Sequence, residues 1–318
     1  MNAEIFAEWM RRQGHHVIRT KSSFWYDAGT RVLQAFPYHW IIQPSKQELR
    51  ELMFKHGILT LRYSAPLESA EGIVSYHITL DPPYSMDMLT TKVRNRLRKG
   101  LRECLVEKIP LKMLATEGWK LQRNTLERQG RLDSMHQAEW EKMCIAADGL
   151  DGFEAWGAFV DDQLAASILM CCIDNIYYIL FAQSHSDYLK LYVNNALFYT
   201  ASCDALARKG AAGIFGALHS LDAPESVSEF KLRLGFSAKP VRQRVVFHPW
   251  AAPFSNSMTH TVIAKLQKLK PNKYILDKAE GMLRFYLQGR LPVTEQEWPG
   301  CLAPQKYKLL RKINQYNG

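Results

Sequence analysis

Two acidic turns fix what the middle of this 318-residue chain can become. Apolar runs at 155–160 and 164–173 are separated by Asp161-Asp162-Gln163, and the second is separated from a third run at 176–182 by Asp174-Asn175 alone. Runs of this length, rich in β-branched and aromatic residues and broken by turn-forming pairs, predict an antiparallel three-stranded meander. A helix follows. Asn194 and Asn195 offer N-caps, Ala196, Leu197, Thr200, Ala201, Ala205 and Leu206 recur near helical spacing, and Gly210 suits the left-handed position after a helix ending at Lys209. The apolar run 212–218 reads as a buried strand. Asp222 and Glu225 have the spacing of a capping box with a proline in the first turn, a short helix runs to Leu234 before Gly235, and the alternation at 241–246 makes a last strand.

In this order, over residues 154–246, the chain resembles the GNAT superfamily, and more closely its FemAB-like branch, which transfers aminoacyl or acyl groups to amines. The residues that carry the resemblance are the hairpin at 157–170, the helix and strand at 195–218, and Phe230-Lys231-Leu-Arg-Leu-Gly235-Phe236, which is similar to the branch's "FK, basic, apolar, glycine" signature. The resemblance implies an α/β (α+β) fold of tandem GNAT-like halves, with mixed, mostly antiparallel sheets flanked by helices. It implies a degenerate N-terminal half at 1–110, a C-terminal half at 111–250 and a basic helical tail at 251–318.

A hydrophobic fraction of 47% supports cores of this size, and a formal charge of +10 favours anionic partners without naming one. Residues 257–318 hold eleven Lys and Arg against four Asp and Glu, so most of the excess sits in the tail. That tail either docks on the core or makes peripheral contact with an anionic surface such as a membrane. The first residues lack a basic segment followed by an apolar one, and the longest apolar runs are cut by Asp161-Asp162 or Asp174, so the expected location is cytoplasmic with no transmembrane segment. The six cysteines form no C-x-x-C pair and read as reduced packing residues; the histidines are scattered, and no metal site is expected.

Earlier in the chain, Ser45 caps a helix at 44–55 that Gly57 can end, and strands are predicted at 57–63 and 73–80. Phe24, Trp25, Tyr26, Phe36, Tyr38, His39 and Trp40 place seven rings within seventeen residues. Two accounts fit them: a half-buried sheet, or a substrate-binding cleft wall built from Trp25, Tyr26, Tyr38 and His39, to which Arg62 adds a cation. Residues 86–104 read as one helix whose stripe is Met86, Leu89, Val93, Leu97, Leu101 and Cys104, and whose other faces carry six Lys and Arg. This segment is similar to the basic connecting helix of FemAB-like proteins. It is either a solvated face or a rail on which Arg96 and Lys99 contact the phosphates of a nucleic-acid donor. Residues 111–114 fit a further strand, and helices are expected at 119–128 and at 134–147, the latter capped by Ser134.

The loop 184–193 lacks glycine, whereas CoA-dependent GNAT enzymes place a glycine-rich phosphate cradle there. The resemblance therefore leans toward an aminoacyl-tRNA donor, with acyl-CoA or acyl-carrier protein also open and no tightly bound cofactor. In that loop and the strand before it, Ser184 and Tyr178 are the expected substrate contacts. Tyr177, Tyr178 and Phe181 could line a channel for a fatty acyl thioester. Carried over from the branch, Phe230 stacks near the donor's terminal adenine and Lys231 stabilises the oxyanion; alternatively, Phe230 fills a helix face and Lys231 is solvated. His219, directly after a buried strand, is placed to accept a proton or is structural. The expected function is transfer of an aminoacyl or acyl group to an amine acceptor such as a cell-envelope precursor. The other function considered is a non-catalytic nucleic-acid-binding protein using the basic helix and tail.

Overall fold

In the computed structural model, which describes residues 2–222, 225–270 and 273–317, Asp161 and Asp162 have φ of 47° and 62°, and Asp174 and Asn175 have 51° and 62°. Two successive left-handed residues give a hairpin loop whose twist matches that of its strands. The meander forms on both turns.

In chain order the first elements are α1 (Ala3–Arg12), β1 (Val17–Arg19), β2 (Phe24–Gly29), β3 (Val32–Phe36), α2 (Lys46–His56), β4 (Thr60–Ala65) and β5 (Ile73–Leu80). Next come α3 (Thr91–Glu103), β6 (Leu105–Ile109), α4 (Leu111–Thr116), α5 (Gly118–Arg128) and α6 (Gln137–Ala146). The meander is β7 (Phe153–Val160), β8 (Gln163–Ile173) and β9 (Ile176–Ser184), followed by α7 (Val193–Ala207), β10 (Gly213–Leu218), α8 (Glu225–Arg233) and β11 (Ser237–Phe247). The last helices are α9 (Ser257–Leu269), α10 (Tyr274–Gln288) and α11 (Lys306–Asn317).

The chain divides into two compact units, each discontinuous in sequence. The first comprises Met1–Gly14, Ile78–Ala217 and Pro224–Ser237; the second comprises His15–His77, Leu218–Ala223 and Ala238–Gly318.

The first unit has strand order β10-β9-β8-β7-β6, antiparallel except that β10 runs parallel to β9. Trp9 and Trp140, both buried, donate their indole N–H groups to Met143 O and Leu114 O at 3.0 Å each, which fixes α1 and α4 against α6. α3 packs on α7 through Gly100, where a Cβ would lie 2.6 Å from Tyr192 O. Residues 111–114 open α4 rather than a strand: Pro110 sets the entry φ at −60°, and no β-branched residue opposes helix at 111–114. The strand of this region is β6, an edge strand with mostly exposed side chains, and exposure removes the apolar alternation that would announce it. The helix expected from 86 begins at Thr91 after a 3₁₀ turn, and Leu101 of its stripe is 39% exposed. Ser134 closes a 3₁₀ turn, and α6 instead starts after His136, whose N–H donates to Glu139 Oε2 at 2.7 Å. Asn194 lies inside α7, and the helix ends at Ala207.

The second unit has strand order β1-β2-β3-β4-β11, continued by the first part of β5. α2 is capped as expected, with Ser45 Oγ accepting from Glu48 N–H at 3.1 Å and Gly57 left-handed at φ 63°. Leu49, Leu52 and Met53 of α2 pack on Trp25, Leu33, Leu61 and Tyr63. Residues after 250 contribute to the same unit: Phe285 joins Ile73, Leu221 and Val245, while Leu309 and Ile313 join Leu67. The tail thus docks on its own unit. The capping box expected at Asp222 to Glu225 spans residues 223 and 224, which lie outside the described residues. Among the described residues no helix is long and apolar enough to cross a membrane, and no cluster of three or more His, Cys, Asp or Glu is placed to hold a metal.

Candidate active site

β9 and β10 are paired from Ile176–Gly213 to Tyr178–Phe215; beyond that register β9 continues to Ser184 and β10 to Leu218 without pairing to each other among the described residues. Two parallel strands therefore part at Gly216. A Cβ at Gly216 would lie 3.1 Å from Ile78 Cγ2 and from two ring carbons of Phe236. The Gly216 carbonyl accepts a hydrogen bond from Lys231 Nζ at 2.7 Å. Lys231 is held by the end of α8. Gly235, at φ 89°, lets Phe236 N–H return to Lys231 O at 3.2 Å and its own N–H reach Leu232 O at 3.1 Å, which is the Schellman closure of a helix. Burial to 9% exposure lowers the Lys231 pKa to about 8. Its neighbour Phe230 meets Phe198 of α7 edge-on at 5.2 Å.

The head of α7 gathers a second set of expected residues. Ser184 O accepts from Arg128 Nη2 at 2.8 Å and Thr125 Oγ1 at 3.1 Å, and Ser184 Oγ accepts from Asn194 Nδ2 at 3.0 Å. The loop expected to lack a glycine cradle folds as a 3₁₀ turn, Ser186–Leu191, followed by Tyr192 at φ 59°. Arg96 Cζ and Lys99 Nζ of α3 each lie 5.6 Å from the Tyr192 ring centroid. The two expected phosphate-binding cations therefore stand beside the N-terminus of a 15-residue helix, whose dipole favours an anion.

The remaining expected residues are distributed differently. Trp25 is fully buried, donating its indole N–H to Thr20 Oγ1 at 3.0 Å, and Tyr178 is buried against Phe6 and Phe215. Both are core residues. Phe181 packs edge-on to Trp140. Tyr26, Tyr38, His39, Arg62 and His219 belong to the second unit, whereas Lys231 and Phe230 belong to the first. Tyr38 donates its hydroxyl to that of Tyr26 at 3.0 Å, and His39 meets Trp40 edge-on. Arg62 Nη2 donates to His219 O at 2.7 Å, and the His219 ring stacks on Tyr76 at 4.6 Å with Nδ1 3.0 Å from Ser75 Oγ. Burial, reinforced by Arg62 and Arg284, lowers the His219 pKa to about 3, so the imidazole is neutral at pH 7. Sequence reasoning passed over Ser64, His77 and Gln243. Ser64 Oγ lies 2.8 Å from His77 Nε2 and accepts from Gln243 Nε2 at 2.6 Å. Polar residues at alternate positions 60, 62 and 64 of a strand were the available signal.

No family profile and no curated protein matches the sequence. Among solved structures, FemX is similar at a TM-score of 0.56 and 10% identity, over 78% of this chain and 92% of that one. The C-terminal DUF2156 domain of an Agrobacterium fabrum protein is similar at 0.52 and 12%, over 78% and 89%. A conserved protein of unknown function from Bacteroides thetaiotaomicron is similar at 0.50 and 12%, over 75% and 87%. At such identities the likeness is one of fold, and the conclusion it gives is that this chain shares the fold of FemX over most of its length.

Proposed function

We propose that the protein is an N-acyltransferase that moves an aminoacyl or acyl group from an activated donor to an amine. One observation carries the reading. Lys231 is a buried ammonium held beside the carbonyl at which two parallel strands part, and among the described residues Gly216 O is the one acceptor that engages its three N–H groups. In the proposed reaction the acceptor nitrogen, arriving with its lone pair, attacks the donor's carbonyl carbon and negative charge develops on the carbonyl oxygen. A preorganised cation in a water-poor site stabilises that charge more than it stabilises the ground state. Collapse restores the carbonyl, forms the amide and expels the donor oxygen or sulfur, which takes up the proton lost by nitrogen.

For the donor, Arg96 and Lys99 beside the head of α7 supply phosphate contacts, and the filled 3₁₀ turn after Ser184 favours aminoacyl-tRNA over a CoA cradled by glycine backbone. Phe230 is the proposed stacking partner of the donor. Incubating the protein with aminoacyl-tRNA, acyl-CoA and acyl-carrier-protein donors and primary amines, with amide products followed by mass spectrometry, tests the reading; no product from any donor class contradicts it.

A further inference from the structure

The sheet of the second unit has two buried faces, one apolar under α2 and one that sets a polar row beside apolar residues. β4 is buried at all six positions, and Leu61, Tyr63 and Ala65 enter the apolar cluster under α2. The alternate residues are Thr60, Arg62 and Ser64, which face the other way. Register extends this polar row: Arg62 stands opposite Gln34 on β3, Gln34 opposite Tyr26 on β2, and Ser64 opposite Gln243 on β11. Directly opposed residues share a face, so Tyr26, Gln34, Arg62, Ser64 and Gln243 form one polar surface. By the same register Val245 and Phe247 stand opposite Arg62 and Thr60, so the polar row borders the apolar cluster of Ile73, Leu221, Val245 and Phe285.

Arg62 is 7% exposed, with its guanidinium 5.7 Å from the Phe285 ring centroid. Nε donates to Gln243 Oε1 at 3.3 Å and Nη2 to His219 O at 2.7 Å. Among the described residues Nη1 has no acceptor, though it is not sealed from solvent, and no carboxylate lies within 4.0 Å of the guanidinium. The charge of Asp222 in the same unit acts on Arg62, and its Oδ1 takes Lys278 Nζ at 2.9 Å and Ser220 Oγ at 3.0 Å. Burial lowers the Arg62 pKa only to about 10, so it stays charged, and the neighbouring His77 and His219 are held neutral. Arg242, also buried in this unit, is different: Leu67 O, Gly72 O and Gln296 Oε1 accept from it. A guanidinium taken out of water without a counter-charge is costly.

We propose that the polar sheet face of the second unit is a binding site for an anionic oxygen group, a carboxylate or a phosphate ester, whose oxygens take the N–H groups that Arg62 leaves unused. Guanidinium geometry matches either group with two parallel hydrogen bonds. The site stands independently of the transferase reading, because a protein without acyl-transfer activity would bind the same group through the same face.

The test uses the full chain with 15N-labelled arginine side chains, titrated with inorganic phosphate, with acetate and, as the control, with chloride at matched ionic strength. The Nε–H resonance missing from Arg62→Lys is that of Arg62. It should move saturably with phosphate or acetate and stay still in chloride, and the anion that saturates at lower concentration identifies the group. Gln243→Glu, nearly isosteric, places a carboxylate against Arg62 Nε and should weaken anion binding roughly tenfold or more, since it supplies the missing counter-charge internally. Should Arg62→Lys not fold, the resonance that shifts on Gln243→Glu serves as the assignment. The proposal is overturned if no arginine Nε resonance responds saturably to either anion, or if Gln243→Glu binds as tightly as the parent.

Discussion

Lys231 Nζ donates to Gly216 O at 2.7 Å, joining the last turns of α8 to the strand that departs from β9. Burial lowers the lysine's pKa from 10.5 to about 8. Between those values the unfolded chain holds a proton that the native state has released, so native stability rises with pH across this window, by at most about 3 kcal/mol. Urea unfolding of the parent and of Lys231→Met from pH 7.5 to 10.5 measures it. The parent should gain stability relative to the variant; parallel curves would mean that the ammonium is well solvated.

His77 and His219 carry the opposite liability at acid pH. Both have folded pKa values near 3, set first by burial and then by neighbouring cations including Arg62, against 6.5 for the ordinary imidazole. As pH falls below 6.5 the unfolded chain takes up protons that the native state refuses, so stability is lost from there toward pH 3. His77→Gln should flatten the decline in urea midpoint between about pH 6.5 and 4. An unchanged slope would show that His77 titrates normally in the folded protein.

Gly100 is where α3 touches α7. Because a Cβ there would lie 2.6 Å from Tyr192 O and 3.2 Å from Ala196 Cβ, Gly100→Ala must push the two helices apart. A loss of roughly 2 kcal/mol or more is expected in chemical unfolding, although alanine is the better helix former. A neutral or stabilising result would mean that the helices are less closely seated.

Arg96 and Lys99 both approach Tyr192 at the head of α7. If they track phosphates there, Arg96→Ala with Lys99→Ala should weaken binding of an RNA donor at low salt and lose that effect as salt rises. Equal affinity of variant and parent at low salt would leave α3 as a solvated connector.

The elements legible in the sequence were those whose signals are local. Asp161-Asp162 and Asp174-Asn175 adopt the left-handed turns their side chains tolerate, and Ser45 and Gly57 bound α2 through one hydrogen bond and one left-handed residue. Leu111 to Leu114 was misread because a four-residue apolar run has no period of its own, and its helical state depends on the distant Trp140 N–H that takes Leu114 O. The polar face around Arg62 was only half legible. Its members Tyr26, Gln34, Ser64 and Gln243 come from four strands, and the register that aligns them across 217 positions is a property of the folded sheet. The aromatic run at 24–40 divided between core and surface by strand alternation, which sent Trp25 inward and Tyr26 to the polar face.

The most direct test is steady-state turnover of Lys231→Ala with a donor and amine for which the parent forms product. If the ammonium stabilises the oxyanion, kcat should fall on the order of 10²-fold or more, about 3 kcal/mol, with a much smaller change in KM. Lys231→Arg should recover only part of it, because a planar guanidinium presents its donors differently from a compact ammonium. Full turnover by Lys231→Ala would contradict the account and remove Lys231 from the chemistry.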